Sequence, residues 1–285
     1  MKREEAIRLT LLGLAMSAVT ALAVITTFIL KEGLPVIFRH GPASFLFGSD
    51  WSPSAEPPVF GVFAMIAGTF AVTFGALGIG VPVGLGSAIF LSEFAPRRVA
   101  TILKPALELL AGIPSVVFGF MGMLVLLPFI RTHVGGQGAS VLAGSTILGI
   151  MILPTVISIS MDALRSVPRS YREGSFALGA TGWQTTWKVT LPAARPGLVA
   201  AVILGMGRAV GETMAVIMVT GNTVQMPKSF LAPVRTLTSN IALEMSYADG
   251  EHREALFATG VILFAIIMAL NTIANSVGRL GRKRS

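Results

Sequence analysis

The sequence predicts an all-α integral membrane protein with six transmembrane helices. Of its 285 residues, 53% are hydrophobic and only 13% are charged, whereas a soluble domain carries roughly 25% charged residues. The mean hydropathy is +0.76, and the apolar stretches are long enough to cross a bilayer core, which takes about 20 residues per helix. The chain has no cysteine, which excludes disulfides and thiolate metal sites. Its three histidines are far apart in sequence and give no support for a metal site.

Six apolar stretches, bounded by charged residues, prolines or polar clusters, are predicted to span the membrane. The second stretch is too long for a simple crossing and contains Pro82, so we expect it to tilt or bend. In the third, Gly112 and Pro114 predict a bend. The six predicted spans are residues 9–30, 60–91, 106–130, 139–161, 197–220 and 255–277.

The first stretch has features of both a signal peptide and a retained helix. Lys2 and Arg3 precede it, and residues 21–23 read Ala-Leu-Ala, which resembles a cleavage site. The apolar run continues to Leu30, which is longer than the ~7–15 residues typical of the apolar part of a signal peptide. We therefore interpret it as a retained transmembrane helix.

The distribution of basic residues predicts the orientation. With six spans, 15 of the 22 Lys and Arg residues fall on the side that holds both termini, six fall on the other side, and Arg208 lies inside a span. Because cytoplasmic loops are enriched in Lys and Arg, both termini are predicted to be cytoplasmic. This bias, with contacts to membrane lipids, explains the net charge of +8, and no nucleic-acid partner is expected.

The chain contains no phosphate-binding loop of the Walker type, because the pair Gly-Lys does not occur in it. If ATP drives its function, a separate subunit must bind the nucleotide. Two glycine pairs in the second stretch, Gly78 with Gly80 and Gly84 with Gly86, lack the spacing of a dinucleotide site. Within an apolar run they indicate points where helices approach closely.

Residues 162–196, predicted to be cytoplasmic, are expected to contain a short amphipathic helix that lies at the membrane surface. Pro168 suits the start of a helix, and Gly179 suits the position just after its end. Between them, an apolar patch can form from Tyr171, Phe176 and Leu178. Such a helix either packs against the transmembrane bundle or docks into a groove of a partner protein.

The fifth stretch carries two ionisable residues, Arg208 and Glu212. A charged group in hydrocarbon costs about 2.5–3.5 kcal/mol, so such groups face a partner or a watery cavity. The four-residue spacing places both on one helix face, where they can pair, and Gly207 and Gly211 allow another helix to come close. The pair is either structural or an anion site in which the guanidinium binds an oxyanion and the glutamate restrains the free charge.

Residues 173–192 resemble the E-A-A-x3-G-x9-I-x-L-P motif of ABC importer permeases, which serve binding-protein-dependent transport. The chain reads E-G-S-x3-G-x9-V-x-L-P with the spacing kept. The resemblance implies a type I permease with a cytoplasmic coupling helix that sits in a cleft of an ATPase. It also implies an N-terminal helix and external loop, residues 1–59, followed by a permease core, residues 60–285. It assigns ATPase coupling to Arg172, Glu173, Gly179, Leu191 and Pro192.

Residues 207–222 are similar to the corresponding stretch of phosphate-importer permeases of the PstC type. This resemblance implies a bacterial plasma (inner) membrane protein that is not an enzyme, forms half of a phosphate pathway and uses Arg208, Glu212 and Thr213 in it. It implies a PstA-like permease as heterodimer partner, two PstB-like ATPase subunits that bind ATP and Mg, and a PstS-like phosphate-binding protein. No cofactor, metal or catalytic residue is expected in the chain itself. Further similarity lies in residues 90–96, 107–120 and 238–245.

Three alternatives to phosphate import stay open at the level of sequence. The first is a permease for another oxyanion, such as molybdate, sulfate or phosphonate. The second is an ion channel or secondary transporter that uses Arg208 and Glu212 alone. The third is a membrane scaffold or sensor in which residues 162–196 recruit a soluble partner.

Two polar features outside these motifs have structural interpretations. Glu108, near the start of the third stretch, can reach interfacial water or cap a helix, and a role in transport is the alternative. The predicted external loops, residues 31–59 and 221–254, contain Trp51 and Tyr247, aromatic residues that favour lipid or protein interfaces. By the resemblance, these loops receive the phosphate-loaded binding protein, whereas lipid anchoring is the alternative for Trp51.

Overall fold

The structure is a computed structural model that describes the backbone of residues 2–282, and their side chains except those of residues 2–4, 6, 97 and 274–282. Two short strands, β1 (Trp51–Ser52) and β2 (Val59–Phe60), pair antiparallel. The α-helices are α1 (Lys2–Arg39), α2 (Pro42–Phe47), α3 (Phe63–Ile89), α4 (Arg97–Gly112), α5 (Ser115–Met121), α6 (Leu127–Phe129), α7 (Val141–Arg165), α8 (Arg169–Ala177), α9 (Gly182–Thr185), α10 (Leu191–Gly211), α11 (Met214–Val219), α12 (Leu237–Glu244) and α13 (Gly250–Arg282). Single π-helical turns are Phe90–Phe94, Gly122–Leu126, Ile130–Val134 and Thr186–Thr190.

Six helical segments of the described chain are long and apolar enough to cross a membrane, which confirms the predicted number. Several helices extend beyond their predicted spans. α1, for example, continues past Leu30 through Lys31 and Glu32 to Arg39, because a charged residue marks the edge of the hydrocarbon and not the end of a helix. The segments are Ile7–Arg39, Phe63–Phe94, Ser115–Val134, Val141–Arg165, Gly182–Gly211 and Gly250–Ile273.

The third predicted span, residues 106–130, is wrong at its start. The chain forms a separate helix, α4, leaves helical geometry at Ile113 (ψ 127°), and resumes as α5 after Pro114. Proline disfavours helical geometry at the residue before it, so this segment breaks the helix where we expected a bend. Glu108 therefore lies on α4, ahead of the spanning segment Ser115–Val134.

The fifth predicted span, residues 197–220, is wrong at both ends. Its helical segment begins with α9 and continues through a π-helical turn into α10. Pro192 is accommodated because it lies in the first turn of α10. Backbone N–H groups in a first turn have no acceptor within the helix, so the N–H that proline lacks breaks no hydrogen bond within α10. At the other end the chain leaves helical geometry at Glu212 (φ −69°, ψ 131°), and α11 follows as a short separate helix.

The central helix of the bundle is α7, which packs between α3 and α10. Glycines allow this close approach: a Cβ added at Gly80 would lie 2.7 Å from the carbonyl oxygen of Gly149, and one at Gly84 would lie 2.8 Å from a side-chain carbon of α7. The predicted close contacts are therefore confirmed for these two glycines. Gly78 and Gly86 face open space within the described chain.

The first helix lies at the periphery of the bundle. α1 packs against α13 near Gly33, where an added Cβ would lie 2.7 Å from the backbone nitrogen of Ala258. Its most apolar 18-residue window has no buried residue in the described chain. A helix that is apolar on all sides is stable in lipid or inside a larger assembly.

Trp51 lies inside the fold, so lipid anchoring by this residue is wrong. Its indole N–H donates a hydrogen bond to the Glu244 carboxylate (2.8 Å), and 8% of the residue is exposed. Glu244 also accepts a hydrogen bond from Arg235 and lies 2.8 Å from Nε2 of His252. This cluster, the Glu244 network, joins β1 to α12 and α13.

The predicted cytoplasmic region, residues 162–196, and the second predicted external loop, residues 221–254, lie at opposite ends of α7. Residues 221–236 pack against its start, where the backbone N–H of Val141 donates to the carbonyl of Ala232 (3.0 Å), and α8 follows its end. α7 has 25 residues, so these ends are about 37 Å apart along the helix. The Glu244 network and the predicted coupling helix therefore belong to opposite faces of the bundle.

Candidate functional site

The fifth spanning segment is interrupted next to its polar side chains. Glu212 and Thr213 lie between α10 and α11. The Glu212 carboxylate accepts a hydrogen bond from the backbone N–H of Ala215 (3.2 Å), and the Glu212 carbonyl accepts one from the Thr238 hydroxyl (3.1 Å). Irregular backbone at membrane depth is tolerated only where protein or a water-filled cavity satisfies it. The interruption therefore places polar backbone and side-chain groups within the membrane-spanning part of the bundle.

Arg208 lies one turn before this interruption and is half-buried. Its Nη1 donates a hydrogen bond to Oγ1 of Thr155 on α7 (3.2 Å). No ion pair joins Arg208 to Glu212 in the part of the chain that the structure describes. The predicted pair is therefore wrong: α10 ends before Glu212, so the four-residue spacing no longer places the two side chains on one helix face.

The guanidinium of Arg208 keeps most of its binding capacity. It carries about five N–H donors in a fork that matches the geometry of an oxyanion, and one of them is directed to Thr155. A charge at this depth is stable in contact with water or an anion. The arrangement can therefore bind an oxyanion. In the residues that the structure describes, no group of three or more His, Asp or Glu side chains could hold a metal ion.

In the part of the chain that the structure describes, no other helix lies close to the glycines that flank Arg208. A Cβ added at Gly207 or Gly211 would have no atom of the described chain within 4 Å. The close contact lies three residues before Arg208, where a Cβ added at Gly205 would lie 2.9 Å from the side chain of Val156. The predicted helix approach at Gly207 and Gly211 is thus not found among the described residues.

Thr155 was not identified from the sequence. It is 53 residues from Arg208, and a threonine in an apolar helix has many possible roles. One weak signal was available: Thr155 follows Pro154, and a proline inside a helix frees backbone groups that a polar site can use.

The predicted coupling helix is present as α8, Arg169–Ala177. Tyr171, Phe176 and Leu178 are all exposed, and Leu178 is 90% exposed. The predicted apolar patch is therefore not packed against the bundle within this chain, which leaves docking to a partner as the interpretation. Glu173 is also exposed on this helix.

Arg172 faces the bundle and not the exposed side of α8. Its guanidinium donates to the Glu93 carboxylate (2.8 Å) and to the backbone carbonyls of Leu164 and Val167 (both 2.9 Å). The pair is mostly buried, with side-chain exposures of 22% for Arg172 and 9% for Glu93. Arg172 thus ties α8 to the end of α7 and to the π-helical turn after α3. Glu93 lies 79 residues away, and no pattern in the sequence predicts this contact.

The segment after α8 turns sharply before the fifth span. Gly179 has φ +82°, a conformation that side chains disfavour, which fits the predicted turn. Thr181 and Gln184 then cap α9 reciprocally. Leu191 and Pro192 begin α10, and Leu191 packs against the apolar core at this end of the bundle. These motif residues build the connection between α8 and α10.

Comparison with known proteins decides the family. Residues 80–284 match the family described as "Binding-protein-dependent transport system inner membrane component". The chain belongs to this family. It is therefore the membrane component of a transporter and not an enzyme, in agreement with the motif at 173–192. The multi-pass inner-membrane location is confirmed by the same match together with the six apolar helices.

Relatives with similar sequences cover most of the permease. It is 44% identical over 264 residues to the "Probable ABC transporter permease protein YqgH" of Bacillus subtilis, covering 91% of this chain and 85% of the relative. It is 35% identical over 257 residues to the "Phosphate transport system permease protein PstC" of Pasteurella multocida, covering 83% and 78%. The protein of that name in Mesorhizobium japonicum is 36% identical over 286 residues, covering 90% and 87%.

Solved structures with a similar fold belong to ABC transporters. A bacterial alginate ABC transporter has a TM-score of 0.67 at 16% identity, over 98% of this chain and 95% of that one. The inward-facing MetNI methionine ABC transporter has a TM-score of 0.58 at 24% identity, over 77% and 94%. These similarities confirm the predicted type I permease fold.

Proposed function

We propose that this permease is the PstC-type subunit of an ATP-driven importer of inorganic phosphate and forms half of the translocation pathway. The observation that carries the proposal is Arg208, a guanidinium held by Thr155 beside the interruption of the fifth span. Its forked donors match the oxygens of phosphate. Relatives named as phosphate permeases, 35% and 36% identical over most of the chain, support phosphate over other oxyanions.

Glu212 and Thr213 act in this proposal as residues that shape the site around the guanidinium. Glu212 lies close along the chain without neutralising Arg208, so its negative charge limits how tightly an anion is held. Thr213 donates to the carbonyl of Gly211 (3.3 Å) and thereby stabilises the interrupted backbone. A pathway needs both features, because a site that binds too tightly does not release its ion.

Phosphate import requires an energy source outside this chain. Moving a dianion inward against an inside-negative potential costs about 4.6 kcal/mol per 100 mV, and each tenfold accumulation adds about 1.4 kcal/mol. The permease therefore pairs with a PstA-like permease, receives phosphate from a PstS-like binding protein and is driven by two PstB-like ATPase subunits, which bind ATP and Mg. α8 docks into the ATPase, with Glu173 at the contact.

This assembly needs α8 and both termini on the cytoplasmic side, and the distribution of basic residues supports that orientation. The Glu244 network then faces the binding protein. Cysteine labelling from outside the cell tests the orientation directly. A reporter at Ser170 must stay protected in intact cells, and one at Tyr247 must react; the opposite pattern overturns the proposed assembly.

Phosphate uptake by cells that lack the chain and carry variants of it tests the function. We expect Arg208→Ala to abolish uptake, because the oxyanion loses its charged ligand, while the complex still assembles. Arg131→Ala, which removes an exposed basic residue at the far end of the third span, is the control and should transport normally. Normal phosphate uptake by Arg208→Ala, or loss of molybdate, sulfate or phosphonate uptake with phosphate uptake intact in cells without the chain, contradicts the proposal.

A further inference from the structure

A cavity of about 250 Å³ lies between α4 and α7. One of its lining residues is Thr155, the acceptor of the hydrogen bond from Arg208. The cavity thus reaches the hydrogen-bond partner of Arg208, although Arg208 itself does not line it, and it has room for several water molecules or an oxyanion. Its polar lining consists of Lys104, Glu108, Thr155, Ser158, Asp162 and Arg165.

The polar lining follows one face of α7. Thr155, Ser158, Asp162 and Arg165 are spaced by three, four and three residues, a spacing that keeps them on one side of a helix. Arg165 lies ten positions after Thr155, so the stripe extends about 15 Å, to the end of α7 at which α8 follows. Ser158, Asp162 and Arg165 are exposed in the described chain, although α7 is the most buried of the spanning helices, so the stripe lies on the open side of the cavity. Ionisable side chains of a membrane protein face water or a partner there.

The charged groups of the cavity are available to a ligand. Within the described chain, none of Lys104, Glu108, Asp162 and Arg165 takes part in an ion pair. Lys104 and Glu108 are one turn apart on α4, as Asp162 and Arg165 are on α7. Two free cations attract an oxyanion, and the two neighbouring carboxylates keep that attraction weak enough for release.

We propose that this cavity is a second phosphate site on the exit side of Arg208, in which Lys104 and Arg165 take over the ion that Arg208 releases. The proposal rests on the proposed function and extends it. Thr155 joins the two sites, because its oxygen accepts from Arg208 while its hydroxyl hydrogen can be donated to a phosphate oxygen. An anionic lipid headgroup carries the same phosphate chemistry, so the test must separate the two sources.

Uptake by the complete importer in vesicles of phosphatidylcholine alone is the first test. The Lys104→Gln/Arg165→Gln double variant is expected to lower ATP-driven uptake about tenfold, the effect of losing charge-assisted contacts to the ion. Arg98→Gln is the matched control, since Arg98 is an exposed basic residue on α4 outside the cavity. Copurification of the ATPase verifies that the double variant assembles. Wild-type uptake by the assembled double variant overturns the second site.

Thiol labelling is the second test, and it detects phosphate binding in the cavity without a measurement of transport. Because the chain has no cysteine, Ser158→Cys places a single thiol of this subunit in the cavity. Inorganic phosphate should slow its modification in the detergent-purified complex, and the slowing should vanish in the Lys104→Gln/Arg165→Gln background. Slowing by phosphatidylglycerol with no effect of inorganic phosphate identifies a lipid site and overturns the proposal.

The two proposals fail in different ways. If the cavity is not a phosphate site but the proposed function holds, Arg208→Ala loses uptake, while the double variant transports normally and phosphate does not protect the thiol. If the proposed function is wrong, phosphate uptake is normal in cells that carry Arg208→Ala or in cells that lack the chain, whatever the double variant does.

Discussion

At the scale of single residues, Arg172 and Glu93 hold α8 on the bundle. Their two side chains are mostly buried, and Arg172 also caps two backbone carbonyls at the end of α7. Losing one partner leaves the other charge partly uncompensated. We expect Glu93→Gln to destabilise the assembly by about 1–3 kcal/mol, seen as a lower unfolding temperature in detergent and weaker retention of the ATPase.

Two comparison variants define this prediction. Arg172→Lys keeps the charge but loses the forked donors, so it should be destabilised as well. Arg169→Lys changes an exposed basic residue of the same helix and should leave the unfolding temperature unchanged. An unfolding temperature of Glu93→Gln equal to that of the wild type shows that the pair does not hold α8.

The residues found from the sequence differ from those that were missed in one physical respect. Arg208 was identified because an ionisable residue in an apolar stretch is unusual by itself. Thr155 and Glu93 are ordinary residues in their local context and gain their roles from contacts across 53 and 79 residues. Such contacts depend on the packing of three helices, which local spacing does not determine.

At the scale of elements, the turn at Gly179 sets the direction in which the chain continues from α8 to α9. Gly179 has φ +82°, and a side chain in the left-handed region costs roughly 1–2 kcal/mol. We expect Gly179→Ala to uncouple ATP hydrolysis from uptake partly, because the strain shifts α8 relative to α10. The measurement is phosphate transported per ATP hydrolysed by the reconstituted importer.

Gly174 provides the matched control for this prediction. It lies within α8, and an added Cβ there would meet no atom of the described chain within 4 Å. Gly174→Ala should favour the helix by about 0.5–1 kcal/mol and leave coupling intact. If Gly179→Ala transports as much phosphate per ATP as Gly174→Ala does, the left-handed turn is not needed for coupling.

The number of spanning helices was predictable, but their interruptions were not. Apolar length determines how often a chain crosses the membrane, and six crossings were found. The breaks at Ile113 and Glu212 depend on different features. Pro114 indicated the first, which we expected only as a bend. At Glu212 no proline follows, and hydrogen bonds from Ala215 and Thr238, which lie on other elements, stabilise the open backbone.

At the scale of the whole molecule, a series of helices in contact with one another connects the two faces of the bundle. α10 follows α8, α9 and a π-helical turn, and it ends at the interruption of the fifth span. There Thr238 of α12 donates to the Glu212 carbonyl. The other end of α12 carries Glu244, the centre of the network with Trp51, Arg235 and His252. Arg208, the residue proposed for the pathway, thus lies on the segment that links the end of the bundle at α8 to the end that holds the Glu244 network.

On the face opposite α8, substitutions in the Glu244 network should therefore lower stability the most. Glu244 has 8% side-chain exposure and Arg235 has 19%, and removing one partner of a buried pair costs about 3–5 kcal/mol. We expect Glu244→Gln to lower the unfolding temperature of the purified complex clearly. Glu254→Gln is the control, because its ion pair with Arg39 is half exposed, with side-chain exposures of 38% and 56%, and such pairs contribute about 0–1 kcal/mol. Equal unfolding temperatures for the two variants contradict the prediction, and Trp51→Phe, which removes one donor to Glu244, should fall between them.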